Sequence, residues 1–210
     1  MRKIIVISSF LFLTLNSFAQ DYLSLSLAKS FSSFNFTTSE GKKDKTIKTV
    51  AKNAYAINYM QVLDTIFFVR VELGVKEMGA YSVLNTEKIT WNLNYVDVNW
   101  GGGFMMSAKK AKVYLGASFY GSYLLSANQT IGANYYDMKK DNTIKKSDFG
   151  VNAFIGTIYP ISPSTFMVIE CAKLFGLNQL DASSNQKLFN KAVFLKLGLT
   201  FRLKTLKKNS

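Results

Sequence analysis

Seven charged residues stand where strand alternation turns them away from apolar neighbours: Arg70, Glu72, Lys76, Asp97, Glu170, Lys196 and Arg202. Charges that share an interior must pair, because a buried ion without a partner is costly. The chemistry they offer is ion pairing. It would serve as a plug that holds strand register, or as the lining of a gated narrow pore. Catalysis has little to work with. The chain has no histidine, the usual proton shuttle near neutral pH and the commonest metal ligand. No CxxC, Walker loop, dinucleotide fingerprint or metal-ligating cluster occurs, and Gly101-Gly102-Gly103 does not precede a helix. The expectation is a non-enzyme with no cofactor and no metal.

The elements that would position these charges are strands. Val193 to Leu203 alternates without a break: Val193, Leu195, Leu197, Leu199, Phe201 and Leu203 against Phe194, Lys196, Gly198, Thr200 and Arg202. Seven further segments share this period of two: Tyr22 to Ala28, Ala54 to Met60, Thr65 to Gly79, Ile89 to Met106, Lys112 to Ser126, Asp148 to Tyr159, and Thr165 to Leu177. The first extends toward Phe34 and Phe36, with a phase slip expected near Lys29. In the fourth, the apolar row Trp91, Leu93, Tyr95 changes parity to Val96, Val98, Trp100, which implies a bulge or a change of environment near Tyr95. The glycine run at 101 to 103 argues against regular pairing there.

The connections sort by length. Those around Val62-Leu63-Asp64, from Ser107 to Ala111, and at Pro160-Ile161-Ser162-Pro163 are short. Those from Thr37 to Asn53, Ser82 to Lys88, Ala127 to Ser147 and Asn178 to Asn190 are longer or more polar. Strict alternation of long and short connections is the habit of outer-membrane barrels, and a β-sandwich gives no reason for it. Tyr22, Tyr59, Tyr81, Trp100, Tyr123, Tyr159 and Phe201 fall near strand ends, where such barrels carry aromatic girdles.

The start of the chain agrees with export. Met1-Arg2-Lys3, an apolar run from Ile4 to Leu15, and Ser17-Phe18-Ala19 together read as a secretory leader cut after Ala19. No later apolar run is long enough for a membrane-spanning helix. The reading is all-β: an eight-stranded antiparallel transmembrane outer-membrane β-barrel, an up-and-down meander over 20–203. The leader is 1–19, and 204–210 is a short basic tail in the periplasm with both termini. A soluble, secreted carrier of the lipocalin type would instead need an apolar cavity lining, where this inward face carries charges and glycines.

The chain carries 26 Lys plus Arg against 13 Asp plus Glu. That surplus suits contact with anionic surfaces, and no nucleic-acid partner is expected. Much of it lies in two long connections: Lys42, Lys43, Lys45, Lys48 and Lys52, then Lys139, Lys140, Lys145 and Lys146, with Tyr135 and Tyr136 beside them. These lysines suit phosphates of lipopolysaccharide or an acidic glycan. Interleaved Glu40, Asp44, Asp137 and Asp141 also suit a plain solvated loop. Cys171 has the parity of Met167 and Ile169, the row that would face lipid, and reads as an apolar filler.

Several segments resemble the small outer-membrane barrels of Bacteroidetes, the PorT-like or "porin family" group. They are Phe68-Val69-Arg70-Val71-Glu72-Leu73 with Gly79-Ala80, Val113-Tyr114-Leu115-Gly116 with Tyr120-Gly121, Asp148-Phe149-Gly150 with Gly156, Glu170 with Gly176-Leu177, and Gly198-Leu199-Thr200-Phe201-Arg202-Leu203. The resemblance spans nearly the whole exported chain. It implies an integral outer-membrane barrel whose closing strand the assembly machinery recognises, and its motifs are not catalytic. The expected role is structural or surface-interacting among outer-membrane lipids and lipopolysaccharide, or else that of a narrow passive channel. Two positions depart from the family: Asn99 where a proline is usual, and Ala172 where an arginine is frequent. The second removes the usual neighbour of Glu170.

Overall fold

The computed structural model describes residues 20–37, 41–42, 44, 46–63, 66–84, 86–182 and 187–203. Residues 1–19, expected to be a leader, residues 204–210, expected to be a basic tail, and the lysines at 43 and 45 lie outside the described residues.

Nine strands follow one another: β1 (Gln20–Thr37), β2 (Val50–Val62), β3 (Phe67–Leu84), β4 (Glu87–Ala108), β5 (Ala111–Ile131), β6 (Asn134–Asp137), β7 (Ser147–Pro160), β8 (Thr165–Gly176) and β9 (Lys187–Leu203). Eight of them make an antiparallel ring. β1 pairs with β2 on one side and, from Asp21↔Leu203 to Thr37↔Lys187, with β9 on the other. Closure leaves no open edge, the condition that lipid imposes on a sheet. The chain is therefore an all-β, eight-stranded up-and-down barrel.

The ninth strand is an addition. β6 folds back on the end of β5 through a turn at Gly132, whose φ of 56 favours glycine. The alternation had ended the fifth segment at Ser126, but β5 runs on to Ile131. β3 likewise runs past Gly79 to Leu84, and β4 begins at Glu87. The connection assigned to Ser82–Lys88 is thus a tight turn with Thr86 at φ 71. Strict length alternation fails at this one hairpin. The hairpin is long because its strands, not its loop, project beyond the apolar wall.

The wall itself is inverted relative to a soluble protein. Outward residues are large and apolar: Leu27 is 58% exposed, Leu73 56%, Phe119 57% and Ile155 54%. Inward positions carry the buried charges. A soluble carrier would need the opposite arrangement, and a contiguous apolar exterior of this kind calls for a nonaqueous neighbour.

Three local details bear on the interior. The ladder between β4 and β5 shifts register between Asn94 and Tyr95, but the extra residue is Leu125 of β5. β4 keeps one parity, with Leu93, Tyr95, Asp97 and Asn99 all inward, so the switch in its apolar row marks a change of environment from an apolar to a charged interior and not a bulge of that strand. β1, however, keeps phase through Lys29: Ser30 and Ser32 stay buried, and Lys29 simply points outward. The glycines at 101 to 103 are paired on both sides, to β3 and to β5. A Cβ at Gly103 would overlap the Leu115 carbonyl, so glycine permits the pairing that its presence seemed to disfavour.

Candidate functional site: the filled lumen and its two rims

Glu170, in the middle of β8, is the hub of the lumen. Its carboxylate pairs with the Arg70 guanidinium from β3 and lies 3.2 Å from Lys196 Nζ on β9. Lys196 also reaches Glu72 at 2.7 Å. The Tyr114 hydroxyl donates to Glu170 Oε2 at 2.9 Å. Glu170 thus draws its cations from β3 and β9. Lys76 and Asp97 form a second pair at 3.5 Å, joined by Asn99 and, through it, by Asn152.

Ring positions explain how these groups meet. Tyr114, Gly156 and Glu170 occupy one row across β5, β7 and β8. A Cβ at position 156 would overlap the Tyr114 ring. The missing side chain lets the tyrosine lie flat across β7 and touch Glu170. Tyr120 crosses Gly150 in the same way, and its hydroxyl meets Asp148 Oδ2 at 3.1 Å. Aromatic faces also carry the cations: Arg70 Cζ stands 3.4 Å from the Phe154 ring centroid, and Lys76 Nζ 4.3 Å from that of Tyr120.

Six of the seven charges singled out by alternation therefore converge in the lumen. Arg202 does not. It shares their parity but sits near the end of β9, exposed at the rim, with its guanidinium 5.0 Å from the Phe166 ring centroid. Parity gives the face of a strand and not the height, and at the rim the inward face meets solvent. Conversely, Asp148 was passed over as a site residue. It is 1% exposed and held by Asn190 at 2.8 Å and by Tyr120. Its parity with Gly150 and Asn152 was the available signal.

Little space remains between these groups. Beside Arg70, Asp97 and Lys196 lies a void of about 30 Å³, and beside Tyr22, Glu170 and Thr200 one of about 20 Å³. Each has room for about one water. Eight strands enclose an interior that side chains can fill, and here they do. The long-connection rim opens instead into a cup of about 710 Å³ lined by Phe34, Ile47, Trp91, Met138, Ile144 and Leu188 among others.

The loop lysines surround that rim. Lys42, Lys48, Lys140, Lys145 and Lys146 are exposed. Lys139 bends back, its Nζ donating to the Leu125 carbonyl at 2.7 Å. Lys52 belongs to β2 and donates to Asn92. The backbone of Lys48 pairs with that of Tyr81, and Ile144 bridges to Asp181, so parts of these loops are tied to the barrel and to one another. Among the described residues, no group of three or more acidic or cysteine side chains gathers as for a metal ion.

No known family model matches the chain, and no curated protein matches it in sequence. Solved structures do match in shape. Neisserial surface protein A superposes with a TM-score of 0.54 at 12% identity, covering 89% of this chain and all of that one. The outer-membrane protein OprG of Pseudomonas aeruginosa gives 0.55 at 10% identity, covering 90% of this chain and 98% of its own. With its closed ring, apolar exterior and charged, filled lumen, the chain has the fold of the small eight-stranded outer-membrane barrels.

Proposed function

We propose that this chain is an integral outer-membrane barrel of the PorT-like type, acting as a structural or surface-interaction protein and not as an enzyme. The observation that carries this reading is the inverted polarity of a ring whose interior is closed by Arg70, Glu170, Lys196 and Glu72. A plug of buried, mutually paired ions gives a solute no path and fixes strand register. The barrel then offers the outside its loops. Exposed lysines around the long-connection rim would contact anionic groups of lipopolysaccharide or of an acidic surface. The leader at 1–19 is proposed to direct export, with the termini periplasmic and the closing strand read by the assembly machinery.

The test is gel mobility of the outer-membrane fraction with and without boiling, followed by planar-bilayer recording of the refolded barrel. Faster migration before boiling, with no unitary conductance, is the expected result. Recovery in the soluble periplasm without a heat shift refutes the membrane reading. Stable conductance steps would instead establish the passive channel and require the Glu170 layer to open.

A further inference from the structure

Three lysines break the apolar exterior on adjacent strands, and the outward row of β3 adds one carboxylate, Glu77, one strand beyond Asn53 from Lys29. Lys29 on β1, Lys191 on β9 and Lys173 on β8 all point outward and are exposed. These are three adjacent strands of the ring. In the ladder of β9, Lys29 lies opposite Leu195 and Lys173 opposite Val193, with Lys191 two residues further toward the long-connection rim. Strand spacing and rise put Lys173 about 8 Å from Lys191 and about 12 Å from Lys29 at the backbone. Across the ring, the outward rows of β4 from Val96 to Phe104, of β5 from Val113 to Leu125, and of β7 from Phe149 to Tyr159 carry no charge.

Like charges this close on an apolar wall repel one another and resist desolvation, so the arrangement calls for an anion. No described carboxylate stands in ion-pair contact with them, Glu77 being separated from Lys29 by Asn53. Lys29 Nζ donates to Asn53 Oδ1 at 2.7 Å, and Lys173 Nζ rests 5.0 Å from the Phe175 ring centroid. Neither these two nor Lys191 forms an ion pair with a described carboxylate. Below the lysines, on the same three strands and the edge of β2, the wall hollows into a groove of about 470 Å³ lined by Leu25, Leu27, Tyr55, Met167, Leu197 and Leu199. Cations stand above and an apolar groove runs below. That pattern fits a molecule with an anionic head and a hydrocarbon tail, lying along the barrel.

We infer that β8, β9 and β1 form a binding site for one phosphorylated glycolipid of the lipid A type. Its phosphates lie among Lys29, Lys173 and Lys191, and an acyl chain occupies the groove. This site is on the wall, apart from the loop lysines. It rests on the outer-membrane reading, which places the long-connection rim at the outer leaflet. There the long lysine stems rise toward the headgroups while the strands stay in hydrocarbon.

The experiment is native mass spectrometry of the full-length refolded barrel, titrated with bis-phosphorylated lipid A, its dephosphorylated form, or phosphatidylglycerol. Three proteins are compared: wild type, K173Q/K191Q, and the loop variant K109Q/K110Q from the short connection between β4 and β5, at the opposite rim. A lysine near a lipid headgroup plane contributes about 5-fold in affinity. Wild type should therefore hold one bis-phosphorylated lipid A about 30-fold more tightly than the wall variant does. The loop variant should match wild type, and dephosphorylated lipid A should bind poorly to all three. Equal affinity of wild type and wall variant overturns the site, as does equal retention of the dephosphorylated lipid. Lysine-dependent preference for phosphatidylglycerol overturns the lipid A assignment. A heat shift on gels confirms that each variant is folded. Its absence in wild type would refute the barrel, and the site with it, whereas a heat-shifted barrel indifferent to these lysines refutes the site alone.

Discussion

Replacing Glu170 by glutamine removes one charge and almost no volume. Arg70, 3% exposed, has Glu170 as its one ion-pair partner among the described residues, and Lys196 keeps only Glu72. Glutamine can still accept from the Tyr114 hydroxyl, so the loss is electrostatic. Breaking a buried pair by deleting one partner costs about 3–5 kcal/mol, because the surviving charge stays desolvated. The Phe154 ring beneath Arg70 offsets some of this, on the order of 1–2 kcal/mol. The expected destabilisation is about 2–3 kcal/mol. The assay is reversible urea unfolding in lipid vesicles, read by the heat-shifted gel band. The companion variant Arg70→Met/Glu170→Met removes both charges and should recover most of the loss, since apolar pairs often replace buried ion pairs at little cost. If Glu170→Gln unfolds within 0.5 kcal/mol of wild type, or if the double variant is the least stable of the three, the ion pair is not what the lumen rests on.

Other consequences can be checked with the same protein. Leu197→Arg puts a charge on the lipid-facing wall, where it costs about 2–4 kcal/mol near the bilayer midplane. Its membrane yield should fall well below that of the loop variant Lys140→Ala, and equal yields would count against the topology. Gly156→Val drives a side chain into the Tyr114 ring and should cost about 1–3 kcal/mol by overpacking. The fluorescence of the neighbouring tyrosine should change with it, while Gly121→Ala, with open space around it, should leave both stability and spectrum near wild type. Cys171 is exposed on the outward row of β8. In bilayers a charged, water-soluble maleimide should leave it unmodified, and in urea it should react fully; rapid labelling of the reconstituted barrel would mean that this row faces water.

How far the sequence reveals this structure depends on height along the barrel. Through the apolar band one face must meet lipid and the other a packed interior, so each residue is constrained and the period of two is clean. Leu195, Leu197 and Leu199 opposite Lys196 and Gly198 could be read directly, and the switch of the apolar row at Tyr95 could be read as a change of environment. Beyond the band both faces meet water or loop residues, and the alternation loses its cause. The extensions of β3 to Leu84 and β5 to Ile131 were hidden for that reason, as was the short β6. The lumen was legible in kind but not in partners. Parity brought Arg70, Glu72 and Glu170 to one interior, yet which cation meets which carboxylate is decided by shear around the ring. That shear joins β3 to β8 across the barrel, and no pattern within a single strand encodes it. Arg202 and Asp148 show the same effect from opposite sides: one has the right face at the wrong height, the other a buried height at the edge of a segment. Lys29 shows it most usefully. Read along its own strand, it looked like a slip of phase. Read across three strands with Lys173 and Lys191, it is an outward charge with two companions, and the exception on one strand becomes a patch on the wall.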